Sequence, residues 1–159
     1  DMDRPFAEAG IAPESLSVVY GVNTLHVARD LAFTLGEIRA ALAPGGLVVA
    51  SECVRPFPGR TVYVEFVFAL LDAFRSPILD PDWRPTGGFL TPEQWLEAFR
   101  AAGFAAPFAW PDIARIRERY PAFVVAAVGA TRPRAPAVVA RAPETGSEQP
   151  DPNHCRDRS

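Results

Sequence analysis

Apolar and polar positions follow three different rhythms along this chain, and each rhythm predicts a different element. From Leu16 to Asn23 apolar residues run almost without break (Leu16, Val18, Val19, Val22), as in a strand covered on both faces. From about Asp30 to Leu42 the residues Leu31, Leu35, Ile38 and Leu42 recur at helical spacing. Asp30 stands before them, where a carboxylate accepts from the free amides of a first turn. Pro44, Gly45 and Gly46 stop that helix, and Leu47 to Glu52 is again a buried strand. Two strands joined through a helix lie parallel, since the crossover needs a dozen or more residues. Ligands of such open sheets bind beyond the carboxyl ends of the strands. Those ends are Tyr20 to Asn23 and Ala50 to Glu52, with His26 close by.

The later chain is more varied. Arg55 to Arg60 reads as a loop, and Thr61 to Phe74 as a helix that is apolar nearly all round. Its β-branched first half also permits a strand. Such an all-apolar helix is core, covers a pocket or meets another subunit. Arg75 to Gly88 has three prolines and is irregular. Thr91-Pro92-Glu93-Gln94 is a helix start with Thr as N-cap, Pro at the first position and Gln three residues after the cap. Trp95, Leu96, Phe99 and Ala102 form its apolar stripe, and Gly103 ends it. Ala105 to Trp110 is a short strand, Ile113 to Arg119 a charged helical turn and Tyr120 to Ala130 a further strand. From Thr131 to Ser159 the chain is polar and proline-rich, which predicts a disordered tail behind one domain over residues 1–130.

Composition narrows the function classes. The 159 residues carry a net charge of -3, so there is no electrostatic case for nucleic acid. All 16 basic residues are Arg, which with 17 Pro reads as a compositional bias of the source. No apolar window is long enough for a membrane span, and no signal peptide is visible, so a cytoplasmic bacterial protein is expected. Cys53 and Cys155 make neither a metal spacing nor a disulfide framework. Asp80 and Asp82 flank prolines in a loop and do not suggest a metal site. The opening Asp1-Met2-Asp3-Arg4-Pro5-Phe6 resembles the exit from a preceding strand, and the chain is expected to be the later part of something longer.

Four segments in order carry a family resemblance: Ser17-Val18-Val19-Tyr20-Gly21-Val22-Asn23-Thr24-Leu25-His26, Leu42-Ala43-Pro44-Gly45-Gly46-Leu47-Val48-Val49, Gly88-Phe89-Leu90-Thr91-Pro92-Glu93-Gln94-Trp95, and Ala101-Ala102-Gly103-Phe104. Each is degenerate alone. Together, over Asp1 to about Ala130, they resemble the C-terminal part of a class I S-adenosylmethionine-dependent methyltransferase, of the small-molecule and polyketide-associated type. The resemblance implies an α/β fold, a partial Rossmann-like sheet with helices on both faces, ending in an antiparallel strand. It implies S-adenosylmethionine as cofactor and a small-molecule acceptor methylated on oxygen, nitrogen or carbon, in secondary metabolism.

By the same resemblance, Asp1 and Met2 meet the adenine, and Gly21, Val22 and Asn23 face the methionine part of the cofactor and the acceptor. His26 stands at the mouth of the site as a candidate general base, its imidazole ordinarily titrating near ~6.5; the alternative is a packing or capping role. Methyl transfer depends mainly on in-line alignment, so a base is not obligatory. Glu52 either orients an acceptor or is a solvated carboxylate at a strand end. Trp83 and Trp110 line an acceptor pocket or the core. The family's first strand, glycine-rich loop and second-strand acid have no counterpart here, and Gly45-Gly46 lies on the wrong edge of the sheet to replace them. The chain is thus expected to carry half of a cofactor site, with another polypeptide supplying the N-terminal half. The rival reading is a non-catalytic methyltransferase-like remnant or interaction subunit.

Overall fold

In the computed structural model, which describes residues 1–134, four strands form one sheet. They are β1 (Leu16–Val22), β2 (Leu42–Val54), β3 (Ala105–Trp110) and β4 (Val124–Thr131), in spatial order β1-β2-β4-β3. β1 and β2 are parallel, joined by helix α1 (Leu31–Ala41), while β4 runs antiparallel to both β2 and β3. The sheet is therefore mixed, with an antiparallel end, as expected.

Local chemistry accounts for the helices. The Asp30 carboxylate accepts from the Phe33 amide at 2.9 Å and starts α1. In α4 (Pro92–Ala101) the Thr91 hydroxyl accepts from the Gln94 amide at 3.3 Å. The Gln94 side chain returns the bond to the Thr91 amide at 2.8 Å. Leu31, Leu35 and Ile38 of α1 and Trp95, Ala98 and Phe99 of α4 pack on one face of the sheet. They meet Val48, Ala50 and Val54 of β2 and Ala126, Val128 and Ala130 of β4. Leu96 is only half-buried, so Ala98 takes its place in the stripe.

Three expectations need correction. The run Leu16 to Asn23 suggests a strand covered on both faces, yet Val18, Tyr20 and Val22 are 56–63% exposed. Val125 of β4 is exposed on the same side of the sheet, and α1 and α4 cover the other. Apolar composition alone does not say which face finds a partner.

The second correction is to Thr61–Phe74, which forms no long helix. It holds two single turns, α2 (Glu65–Phe68) and α3 (Asp72–Arg75), separated by the extended backbone of Leu71. The reason is the charged side chain of Glu65 in its first half. Glu65 is buried against Arg55 (2.6 and 2.7 Å), which turns Phe66 and Val67 outward, 80% and 62% exposed. A buried ion pair has overridden the hydrophobic pattern here.

The third concerns boundaries. Pro44-Gly45-Gly46 is part of an irregular start to β2, since Leu42 pairs with Leu16 and Leu47 with Val18. The Gly45 amide donates to the Arg132 carbonyl at 2.9 Å, and the Arg132 amide to the Gly46 carbonyl at 2.8 Å. Gly45 has φ +81°, which a side chain would strain. β4 begins only at Val124, because Tyr120 still closes helix α5 (Ile113–Arg119) and Pro121 has no amide hydrogen. At its far end, Thr131 lies in β4 and Arg132 pairs with Glu14 at 2.6 Å. The expected tail thus loses its first residues to the fold. Its remainder, residues 135–159 with Cys155, lies outside the described residues.

Candidate functional site

Side chains alternate along a strand, and on β2 the residues Val48, Ala50, Glu52 and Val54 share the helix-covered face. Glu52 is therefore fully buried, which excludes the solvated carboxylate expected of a strand end. Parallel pairing sets Gly21 beside Ala50 and Val22 beside Ser51, so the chain leaving β1 passes directly over Glu52. One carboxylate oxygen of Glu52 accepts from the backbone amides of Thr24 (3.0 Å) and Leu25 (2.8 Å). The other lies 2.6 Å from Nδ1 of His26. His26 is also fully buried, on a short 3-10 turn (Leu25–Val27).

The opposite ring nitrogen, Nε2, is buried and has no hydrogen-bond partner. The imidazole meets Phe68, Phe74 and Phe89 edge-on, with ring centroids at 5.5, 5.9 and 4.9 Å. A buried polar atom without a partner is costly in a protein interior, so its presence needs a reason.

A cation that sequence reasoning missed holds the turn from behind. Arg84, 1% exposed, donates to the carbonyls of His26 (2.8 Å) and Ala28 (3.1 Å). Burial pulls its pKa down to about 10, against the opposing pull of the Asp3 and Asp30 carboxylates. Nothing in the irregular stretch around Arg84 signals this role. The Glu52 signal was present in the two-residue period of β2. Next to it, the Cys53 thiol is pushed up from its ordinary 9.0, first by burial and then by the Glu52 charge.

The other sequence candidates separate into two places. Gly21, Val22 and Asn23 stand at the tip of β1 above the His26–Glu52 pair. Asn23 has φ +49°, its amide donates to the Ser51 carbonyl at 2.6 Å, and its side-chain oxygen accepts from Cys53 at 3.4 Å. Asp1 and Met2 lie toward the start of α1. The Thr34 hydroxyl donates to the Met2 carbonyl at 3.0 Å, and Asp3 accepts from the Arg29 amide at 3.0 Å. The exposed Asp1 carboxylate accepts from the Asp3 amide at 3.0 Å and lies 3.7 Å from Arg4. Trp83 is core, whereas Trp110 is 71% exposed. Asp80 caps its own turn through Asp82 and Trp83. No cluster of three metal-ligating side chains and no helix able to cross a membrane occur among the described residues.

A cavity of about 670 Å³ adjoins this site without containing His26. Val62, Tyr63, Phe66 and Phe74 line it together with the Arg55–Glu65 pair. Gly88, at φ +89°, is needed beside that pair, because a β-carbon there would collide with the Arg55 guanidinium and come within 2.9 Å of Glu65.

No family model matches the chain. It is 33% identical over 116 residues to the polyketide synthase ThaG of Burkholderia thailandensis, covering 70% of this chain and 2% of ThaG. The solved CurJ carbon methyltransferase superposes with a TM-score of 0.69 at 26% identity, over 84% of this chain and 34% of that one. The CalH trans-methyltransferase, solved in complex with S-adenosylhomocysteine, gives 0.65 at 25% identity, over 83% of this chain and 34% of its own. The chain therefore spans about a third of its solved neighbours and a small part of the synthase.

Proposed function

The chain belongs to the class I S-adenosylmethionine-dependent methyltransferases of the polyketide-associated type, and on that premise we propose that it carries the base and acceptor wall of a carbon-methylating site. One observation carries the reading: the buried imidazole of His26, with Glu52 at Nδ1 and nothing at Nε2. An ionised carboxylate only accepts, so it selects the tautomer with hydrogen on Nδ1 and leaves a lone pair on Nε2. Such a base suits a carbon acid flanked by carbonyl groups, whose proton must leave before carbon becomes a nucleophile. Nε2 takes that proton, Glu52 stabilises the resulting imidazolium, and the proton later returns to water. Arg84 holds the His26 carbonyl and so fixes the backbone that carries the ring.

The residues fit the cofactor on its methyl-donating side. A β-carbon on Gly21 would meet only Leu25 and Thr24, both at 3.9 Å, so the tip of β1 leaves space. Gly21, Val22 and Asn23 would line its methionine part, and Asp1 and Met2, near the start of α1, its adenine. When bound, S-adenosylmethionine supplies a methyl carbon on a sulfonium, which the acceptor's electron pair takes as the carbon–sulfur bond breaks. The remaining grip on the nucleoside would come from further polypeptide lying parallel to β1, whose outer edge is open and whose apolar face is bare. The CurJ neighbour, a carbon methyltransferase, favours carbon over oxygen or nitrogen as the acceptor.

The test is methyl transfer from labelled S-adenosylmethionine to a β-keto thioester, with this chain and the polypeptide that completes its sheet. We expect label on carbon, and a fall of at least ~10²-fold in His26→Ala, in the range of general-base contributions. Label on oxygen, or a His26→Ala protein as fast as the parent, would overturn the reading.

A further inference from the structure

A histidine base works only where its backbone aims it, and the backbone under His26 is weak on its own. The 3-10 turn Leu25–Val27 has no side-chain cap. It closes through two bonds, from the Val27 amide to the Thr24 carbonyl (3.2 Å) and from the Ala28 amide to the Leu25 carbonyl (3.1 Å). Glu52 pins only its front, through the amides of Thr24 and Leu25. A short turn pinned at one end pivots about that end, and the pivot carries the ring away from Glu52.

The rear half is caught by groups that arrive from elsewhere in the sequence. Arg84 spreads its fork over it, with one terminal nitrogen on the His26 carbonyl (2.8 Å) and the other on that of Ala28 (3.1 Å). The Ile78 amide donates to the Arg29 carbonyl at 2.7 Å. The Asp3 carboxylate accepts from the amides of Arg29 (3.0 Å) and Asp30 (3.4 Å), just before α1. Asp3 is itself moored, because the fully buried Thr34 of α1 donates its hydroxyl to the neighbouring Met2 carbonyl at 3.0 Å. Along Thr24 to Asp30, carboxylates hold the amides at both ends and a guanidinium holds the carbonyls between them.

Burying Arg84 is costly. It makes no ion pair among the described residues, its Nε has no partner, and burial lowers its pKa to about 10. The carboxylates that oppose this pull, Asp3 and Asp30, are both engaged at the same segment. What the guanidinium offers over a simpler donor is a planar fork whose two bonds fix one geometry.

We propose that Asp3 and Arg84 are positioning residues for the base: they clamp the rear of the Thr24 to Asp30 segment so that the His26 imidazole keeps its register on Glu52. The clamp also joins the ring that takes the proton to the Asp1-Met2 segment that meets the adenine, so the two move as one piece. The proposal rests on the reading of His26 as a base. Neither residue touches a bond that is made or broken.

The test reads the ring itself and needs no methyl transfer. Long-range proton–nitrogen correlation NMR on the isotope-labelled full chain separates the two nitrogens of each imidazole, and His154→Gln identifies the other histidine. We expect the parent to carry hydrogen on Nδ1 and none on Nε2, with well-separated nitrogen signals. Arg84→Lys keeps the charge and loses the fork. In that variant and in Asp3→Ala, the separation should fall below about half of the parent's, as the ring leaves Glu52 and exchanges tautomers. Asp3→Asn, which keeps an acceptor for both amides, should restore the parent pattern. Glu8→Ala, which removes a nearby carboxylate paired only with Arg4, should not disturb it. Asp3 is exposed, so its variants keep the fold even where Arg84→Lys does not. Parent-like signals in Asp3→Ala or in folded Arg84→Lys, or equal losses in Asp3→Ala and Asp3→Asn, would overturn the clamp and leave the base standing. Hydrogen on Nε2 in the parent would overturn the base, and the clamp with it.

Discussion

Among the described residues, two acid–base pairs are buried within a few residues of each other on either side of the end of β2, and they are built to opposite ends. Arg55–Glu65 is complete: both carboxylate oxygens are engaged and the guanidinium makes further bonds to Thr86 and Gly87. His26–Glu52 is complete on one side only. Glu52 is saturated by the imidazole and two backbone amides, while the far nitrogen of the ring is left open. A satisfied buried pair fixes a loop, and here it decides which way an apolar segment faces. An unsatisfied one keeps a reactive atom in a dry place, at a cost in stability, which is how functional sites commonly differ from structural ones.

The largest effect should come from splitting the complete pair. Arg55→Ala leaves Glu65 buried without its partner and should lower stability in urea by about 3–5 kcal/mol. Replacing both, as Arg55→Met with Glu65→Leu, should recover most of that loss, since the pair's desolvation cost disappears with it. A double variant as unstable as the single one would show that the bonds to Thr86 and Gly87 matter more than the pair. Glu52→Gln is the matching change at the incomplete pair. It keeps an acceptor for the Thr24 and Leu25 amides, so the stability loss should be smaller, about 1–3 kcal/mol. Methyl transfer should nevertheless fall sharply, because the amide no longer selects the Nδ1–H tautomer; unchanged transfer would make Glu52 structural. The smallest effect belongs to Cys53, next to Glu52. Its folded thiol titrates above 9.0, so the stability it contributes is present below pH 9 and lost as pH rises through the raised value. Comparing urea midpoints of the parent and Cys53→Ala between pH 8 and 10 should show the parent declining relative to the variant.

Regular elements were legible because their signals are local. The Thr91–Gln94 box, the Asp30 cap and the period of Leu31, Leu35 and Ile38 each act within one or two turns. The strands from Ala105 and Leu16 were placed by similar means. What could not be read was decided by groups distant in sequence. Glu65 turns inward because Arg55 waits there, and Arg84 is buried because the carbonyls of His26 and Ala28 need a donor. The site shows the same division. The placement of His26 and the tip Gly21–Asn23 follows from parallel strands and a crossover, but the burial of Glu52 depends on which face of β2 is covered. Alternation along β2 already grouped Glu52 with Val48 and Ala50, and that grouping was the better guide than its place at a strand end.

The position of β2 in the sheet also has a consequence for how the chain is made. One of its edges pairs with β1, which precedes it, and the other with β4, where Leu47 meets Thr131. During synthesis the first edge closes early, against a neighbour already present. The second stays open until nearly all of residues 1–134 have emerged, so its completion waits on a long-range closure of the slow, entropy-limited kind. A nascent chain halted after α4 would expose the full length of β2 as a pairing template. The emergence of β4 is the step that removes this hazard, and it also completes the apolar floor under the helices.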